Sequence, residues 1–507
     1  MAEANGAILA AKSAVITRHR TLVAGIALTG VALAARLLAV RAGLGGDALP
    51  VGPDAEDWVL ATGGMAEGDW SLLQPNRYPL FPWLASLLVR LTGLSASGAL
   101  LTLSLLASSL TPWAVLGVAR RLLPFPGAVA AGLWVALAPS QLLLGVSTIA
   151  YTLFALAFVG VLASLLDEHR WRGPALAAAC CLVTVVTLNQ GFLCVLALLP
   201  AGLLLQRGWG AAAGLAGAAL GLAAVHVTHP SPTSATRWML QESVVYLSGN
   251  IPEETARIGG TYAQAFDFWA QQTFRLGGGW TAALLALGIW GLGAGLWRGR
   301  RDGTPLAPSL ALAWAVAPAA ILIPVMGSGH HLIHMIPLLA VAVAGGALAL
   351  APGRAGIVAG LAVAGVVGAL GVSSLSGAMR DLERRGDEGR AALQTAEGAV
   401  ELIGEDGALI VPPTRPGDPA EIVFNVQWAF PASMTVIQLG DLDDPRPIPP
   451  LDEATARGAR VAVVGALGDA YWAAGPYQFT GGQASKALPS RPGDTPQAMH
   501  LVTVSAR

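Results

Sequence analysis

The sequence predicts a polytopic α-helical membrane protein of about eleven spans followed by a small α/β domain, and three observations carry that expectation. The chain has 507 residues, 54% hydrophobic and only 12% charged, with a mean hydropathy of +0.59. A soluble domain carries about a quarter charged residues, so this is the composition of a chain that lives in lipid. Apolar runs of span length recur from Thr21 to about residue 373, with basic clusters between them. After Ser374 the composition shifts to charged stretches and short β-type runs. A net charge of -1 gives no support for nucleic acid or a strongly acidic partner, and no nucleic acid is expected.

The first apolar run, 21–40, follows Lys12, Arg18 and Arg20 and lacks a small-residue cleavage site. It reads as an uncleaved signal anchor with the N-terminus cytoplasmic. The next polar stretch, 41–98, then faces outward. Its middle, Tyr78–Leu94, is apolar but short and begins near a proline, which suits a re-entrant or interfacial helix. Further spans are expected near 99–118, 126–145, 149–166, 174–188, 190–206, 209–226, 280–297, 306–325, 332–351 and 355–373. This alternation gathers Arg120-Arg121, Arg170 with Arg172, and Arg298 with Arg300 and Arg301 into short inside loops. A full crossing by Tyr78–Leu94 would move every later basic cluster to the other side. Cys180, Cys181 and Cys194 lie in apolar runs and read as small buried hydrophobes, silent on redox compartment.

Two regions lie outside the spans besides the first loop. The segment 227–278 mixes Trp238, Tyr246, Tyr262 and Trp269 with Arg237 and Arg275. Such aromatics suit a sugar or lipid head group, and they suit an interfacial belt equally. The domain 375–507 opens with a charged linker, Arg380–Arg390, followed by β-type runs at Ala408–Val411, Met434–Gln438, Val461–Val464 and His500–Val504. Helix-like pieces at Ala391–Ile403 and Glu453–Arg457 alternate with them, the pattern of an α/β domain. It contains no glycine-rich phosphate loop, so no nucleotide site is expected there.

The candidate reaction centre is the loop Gly52–Trp83, GPDAEDWVLATGGMAEGDWSLLQPNRYPLFPW. Asp54, Glu56 and Asp57 crowd together beside the first span. On a helix starting there, Asp54 and Asp57 share a face while Glu56 turns away. Carboxylates so placed can act as a general base or hold a divalent cation. They can equally cap the helix, Asp54 as N-cap and Asp57 as a first-turn acid facing the helix dipole. Arg36, near the outer end of the first span, is a candidate phosphate ligand or a snorkelling side chain. His330 and His334 stand four apart beside His331, a spacing that can meet a metal, a phosphate or ordinary packing. His226 and His229 belong to a different loop at a distance the sequence leaves open.

The order of motifs here resembles the first periplasmic loop of the GT-C glycosyltransferases, in the branch of protein O-mannosyltransferases and the lipid A aminoarabinose transferase. The matching residues are Pro53-Asp54 with Trp58, then Glu67-Gly68-Asp69-Trp70, then Asn76-Arg77-Tyr78-Pro79. Asp54 matches the branch's catalytic acid and Trp58 its aromatic, and Arg77 with Pro79 stands near its basic-proline pair, with Tyr78 intervening. Pro139–Ser147, the Gly327–His331 entry to the 332–351 span with Pro337, and the outer domain resemble the superfamily only in architecture. The resemblance implies a GT-C-like catalytic domain over 1–374 and a periplasmic α/β domain over 375–507, in a bacterial inner membrane.

It further implies an inverting hexosyl or pentosyl transferase using a polyprenyl-phosphate-linked sugar donor and a lipid, glycan or protein acceptor among membrane lipids. Asp54 would be the base. Asp57, Trp58, Arg77, Arg36, His330, His331 and His334 would serve donor-phosphate or substrate binding. No cofactor is certain; a divalent cation, with Asp54 and Asp57 as candidate ligands, is required by some members and dispensed with by others. The rival expectation is a transporter or flippase of lipid-linked envelope precursors. Transporters keep functional polar groups near the midplane and often repeat their halves, whereas these charges crowd one surface and no repeat is visible.

Overall fold

The computed structural model describes residues 2–45, 49–50, 55–205, 208–237, 264, 278–302, 312–313, 335–350, 353–411, 429–431, 433–438, 448–466, 471–474, 477–488 and 497–506. They fall into two compact units, Met1–Leu382 and Glu383–Arg507.

Among its described residues the first unit is helical. Its elements are α1 (Ala2–Leu44), α2 (Ala55–Glu67), α3 (Leu80–Thr92), α4 (Ala96–Ala119), α5 (Phe125–Leu137) and α6 (Pro139–Gly145). There follow α7 (Tyr151–Leu165), α8 (Arg172–Thr187), α9 (Gly191–Leu198), α10 (Pro200–Leu204) and α11 (Gly208–Thr228). The unit continues with α12 (Gly278–Asp302), α13 (Ile336–Leu350) and the start of α14 (Gly353–Ile403). Helix pairs α8–α11, α12–α13, α7–α8, α1–α4 and α4–α7 form the main packing contacts. Small residues set how closely these axes approach. A Cβ on Gly217 of α11 would lie 2.1 Å from the Ala178 carbonyl oxygen of α8, so only glycine permits that contact.

Three described helices are long and apolar enough to cross a membrane: His19–Leu44 within α1, then α4 and α11. A fourth follows if α5 and α6 count as one span bent by 54°. The expected 126–145 run is therefore a broken helix. Pro139 has no N–H to donate and opens the second piece, so the ladder stops at Ala138. The expected 190–206 run likewise divides at Pro200 into α9 and α10. The 306–325 run lies outside the described residues except at 312–313. Helix α3 is 13 residues long, about 20 Å of rise against roughly 30 Å of hydrocarbon. It keeps Trp83 and Leu91 exposed while burying Phe81, Pro82 and Ala85.

The expected charged linker Arg380–Arg390 is a correction. It is helical throughout, and α14 runs unbroken for 51 residues from Gly353 to Ile403. The reason is composition: RDLERRGDEGRAALQTAEGAVELI is rich in strong helix formers, and charge alone does not break a helix. The helix stops at Gly404, whose φ of 81° suits the left-handed conformation closing the last turn.

The second unit holds a six-stranded sheet in the order β2-β1-β3-β6-β5-β4. The strands are β1 (Ala408–Val411), β2 (Thr435–Gln438), β3 (Val461–Ala466), β4 (Tyr471–Ala474), β5 (Tyr477–Ala487) and β6 (Gln497–Ala506), with α15 (Pro449–Ala456) before β3. β1 pairs in parallel with β2 and β3; the β3–β6, β6–β5 and β5–β4 pairs are antiparallel. One face of the sheet packs Leu409, Val411, Ala462 and Val464 against Ala392, Ala396, Ala399 and Ile403 of α14. The other packs Ala408, Ile410, Val461 and Val463 against Leu451 and Ala454 of α15. The alternation of adjacent residues between faces is the period-2 pattern that a strand imposes. Strands β4 and β5 have no counterpart among the sequence-based expectations. Their run is interrupted by Gly475-Pro476 and Gly481-Gly482, and β5 carries a register shift between Gly481 and Ser485 where it follows β6.

The close approach at Gly217 yields a direct check. Gly217→Ala is expected to lower stability by roughly 1–3 kcal/mol through overpacking against Ala178. Gly30→Ala, whose Cβ would meet nothing within 4 Å, is expected to be neutral or slightly stabilising; thermal midpoints in detergent separate the two.

Candidate active site

Helix α2 carries the acidic end of the candidate centre. Glu56 and Asp57 occupy its first turn, where unsatisfied N–H groups and the helix dipole favour negative charge. The other end is closed by the Glu67-Gly68-Asp69 turn. Gly68 has φ 97°, its N–H donates to the Met65 carbonyl at 3.2 Å, and the Asp69 N–H donates to the Gly64 carbonyl at 2.8 Å. That pair of bonds is a Schellman cap, which needs the left-handed glycine. Gly64 is needed too, because a Cβ there would lie 2.8 Å from the Asp69 carbonyl oxygen. The Asp69 carboxylate turns back on itself: its Oδ1 accepts the Ser71 N–H at 2.8 Å. Hydrogen bonds from the Ser71 side chain and then its backbone hold the carboxyl below the usual range. Arg90 of α3 adds donors to the Met65 and Ala66 carbonyls at 2.6 and 2.8 Å. The sequence motif is thus a helix stop that fixes where α2 ends.

The chain then returns to the N-terminal turn of α2. Gln74-Pro75-Asn76-Arg77 is a tight turn closed by the Arg77 N–H on the Gln74 carbonyl at 2.9 Å, with proline at its second position. Its two end residues reach the same carboxylate. Gln74 Nε2 donates to Asp57 Oδ1 at 2.6 Å, and Arg77 Nη2 meets Asp57 Oδ2 at 2.9 Å. The Arg77 guanidinium also lies 5.7 Å from the Trp58 ring centroid, within cation–π range. Trp58 is buried and packs edge-on against Phe81 of α3, centroids 5.8 Å apart. Its ring is therefore engaged by Phe81 and Arg77, the wall on which the cation rests.

The turn is held from behind by a residue whose position the sequence left open. His229, one residue past α11, is buried. Its Nε2 lies 3.1 Å from the Gln74 carbonyl oxygen and 3.2 Å from that of Arg77. Its Nδ1 accepts the Ser231 N–H at 2.9 Å. An Nδ1 committed as acceptor leaves the proton on Nε2, shared between the two carbonyls. Beside it, Tyr78 is buried with Val186 of α8, Val225 of α11 and Ala235. Burial lowers the His229 pKa from its ordinary 6.5, against the upward pull of its contacts with Gln74, Arg77 and Ser231.

Asp57, Trp58 and Arg77 thus come together. Arg36 is placed differently. It is fully buried, and Nε donates to Ser108 Oγ at 2.8 Å. Nη1 donates to the carbonyls of Ala32 and Ala136 at 2.9 and 3.0 Å, and Nη2 to that of Gln141 at 3.4 Å. Ala136 and Gln141 flank the Pro139 break between α5 and α6, so the cation satisfies carbonyls on both sides of it. Buried among these acceptors, Arg36 is not a side chain snorkelling to water. Asp54, one residue before α2, lies outside the described residues, as do His330, His331 and His334. The two oxygens of Asp57 already face an amide and a guanidinium, a setting unsuited to a cation ligand. Among the described residues no group of three or more His, Cys, Asp or Glu forms a metal cluster. Cys181 and Cys194 are buried and Cys180 partly so, and none of the three forms a disulfide.

No protein family and no curated protein sequence matches the chain. Solved structures share its fold. ArnT from Cupriavidus metallidurans, in a crystal structure bound to undecaprenyl phosphate, aligns with TM-score 0.54 at 14% identity, over 94% of this chain and 97% of that one. The oligosaccharyltransferase of Archaeoglobus fulgidus in the apo form aligns with TM-score 0.53 at 12% identity, over 88% and 69%. The archaeal oligosaccharyltransferase AglB from the same organism, in complex with an inhibitory peptide and a dolichol-phosphate, gives 0.50 at 12%, over 86% and 69%. The chain therefore shares the overall fold of these structures.

Two measurements test the interior contacts. Arg36→Ala is expected to cost roughly 2–4 kcal/mol, since it strands buried carbonyls at the α5–α6 break, while Ser108→Ala costs about 1 kcal/mol. For His229, the sign follows from its lowered pKa. Below 6.5 the unfolded chain binds a proton that the folded ring resists, so stability present above 6.5 is lost as pH falls. Between about pH 7.5 and about pH 5 the thermal midpoint of the wild type is expected to fall further than that of His229→Gln.

Proposed function

We propose that the chain is an integral membrane glycosyltransferase that moves a sugar from a polyprenyl-phosphate donor to a lipid, glycan or protein acceptor with inversion. The observation that carries this reading is the cluster at the start of α2, where Asp57, Gln74, Arg77 and Trp58 are assembled; Asp54 precedes Asp57 by three residues in the sequence. The fold supports it, because a structure of ArnT holds undecaprenyl phosphate and one of AglB holds a dolichol-phosphate and an inhibitory peptide. The setting we infer is a bacterial inner membrane, with the N-terminus cytoplasmic, about eleven spans and the 41–98 segment, like the domain beyond residue 374, on the periplasmic side.

In this reading Asp54 is the base. It takes the proton of the acceptor nucleophile as that atom attacks the anomeric carbon. The bond from that carbon to the donor phosphate oxygen breaks with its electron pair leaving on the phosphate. Negative charge grows on the leaving group, and a pre-positioned cation lowers the barrier most where the charge develops. Arg77 is that cation. Asp57 and Trp58 orient it, so that little reorganisation remains at the moment of reaction. No step is routed through a divalent cation, given the donors around Asp57.

The test is sugar transfer from a polyprenyl-phosphate donor pool in membranes, with variants at matched expression. Asp54→Asn is expected to lower transfer by about 10²–10⁴-fold with donor binding retained, the range for loss of a general base. Asp57→Asn is expected to lower it less, by roughly 10-fold, through a mispositioned Arg77. Full activity in both variants would remove this loop as the reaction centre. A wild-type chain that moves lipid-linked sugar across the membrane without transferring it would be a transporter.

A further inference from the structure

His229 touches the backbone of the same two residues whose side chains hold Asp57. Its ring reaches across more than 150 residues of sequence to a turn of four. The two carbonyls that share its Nε2 proton belong to Gln74 and Arg77, the ends of that turn. The Gln74 side chain takes one oxygen of Asp57 and the Arg77 side chain takes the other. A shift at either carbonyl therefore moves a donor that faces the carboxylate. The anchoring of the turn is separable from its orientation. Tyr78, buried among Val186, Val225 and Ala235, ties it down by apolar contact, which is strong but non-directional. The histidine adds the directional component. The Ser231 N–H on Nδ1 locks the ring's tautomer and plane, so the turn is held against a fixed donor.

We propose that His229 is a positioning residue of the site: from the end of α11 it clamps the Gln74–Arg77 turn and so sets the Arg77 guanidinium against Asp57 and Trp58. This rests on reading that cluster as the reaction centre. It assigns a task in the reaction to a residue remote in sequence from the first loop. Precision is what the clamp supplies, since misplacement of a catalytic group by about 1 Å can cost on the order of 10² in rate.

Two variants of the full chain in detergent or nanodiscs separate positioning from bulk packing. His229→Gln keeps an amide N–H where Nε2 stood and can still reach the carbonyls. His229→Asn keeps an acceptor for Ser231 but is too short to reach the turn. Hydrogen–deuterium exchange over residues 70–83 is read beside steady-state transfer from a polyprenyl-phosphate sugar. Expected for His229→Asn is faster exchange confined to 70–83, with kcat lowered by roughly 10–100-fold and KM for the donor changed by less than about threefold. Expected for His229→Gln is recovery of both to within about threefold of wild type.

Unchanged exchange in His229→Asn overturns the clamp, and faster exchange with unchanged kcat overturns the positioning role. Equal loss in both variants also overturns it, because that is the signature of lost packing. If the wild type transfers no sugar, the functional reading fails by itself and the exchange data still decide the clamp. Should His229→Asn not fold, ¹⁵N-histidine spectra of the wild type serve, with the resonance assigned by its loss in His229→Gln. A neutral ring protonated at Nε2 supports the clamp, and a ring protonated at Nδ1 overturns it.

Discussion

Polar groups set among apolar helices must be answered from within the chain, because neither lipid nor packed side chains supply hydrogen bonds. This constraint explains the most informative contacts in the first unit. Where Pro139 breaks the ladder between α5 and α6, Arg36 extends from α1 and donates to carbonyls on both sides of the break. Where α2 ends at Gly68, its last carbonyls are met by the Schellman bonds and by Arg90. At the Gln74–Arg77 turn, His229 meets the carbonyls of both end residues, that of Gln74 beside the turn's own hydrogen bond. At each of these three places a side chain from another segment is fitted to the irregularity.

The candidate centre is built from three such provisions acting together. The glycine-dependent stop of α2 fixes its length, and the turn brings Gln74 and Arg77 back over its first turn. The end of α11 then braces that turn. Charge follows geometry: Asp57 sits where the helix dipole favours an anion, and Arg77 is steadied by a carboxylate on one side and the Trp58 ring on the other. Such an arrangement holds a cation in one orientation without burying it fully.

The second unit is explained by the alternation of its strands. Leu409 and Val411 face α14 while Ala408 and Ile410 face α15, so a four-residue strand is buried on both sides. The helix over one face is the continuation of the long α14, whose alanines at 392, 396 and 399 let it lie close to the sheet. Within this unit, described by itself, nothing beyond hydrophobic layering is needed to account for the architecture.

Much of this was legible in the chain itself. Composition and the apolar runs determined a helical membrane protein with an α/β appendage, because lipid demands long apolar stretches and strands demand alternation. That Asp57, Trp58 and Arg77 come together was readable, because they lie within a short loop whose turn residues (Gly68, Pro75) have few conformational options. Tertiary structure alone decided three other matters. It gave Arg36 to a broken helix, since a buried guanidinium goes to whatever acceptors lie within reach. It turned a charged linker into helix, since a run rich in strong helix formers stays helical whatever its charge. It also brought His229 to the first loop, a contact between segments more than 150 residues apart. Such contacts leave no local pattern, because a hydrogen bond records distance in space and sequence periodicity records only neighbours along one element.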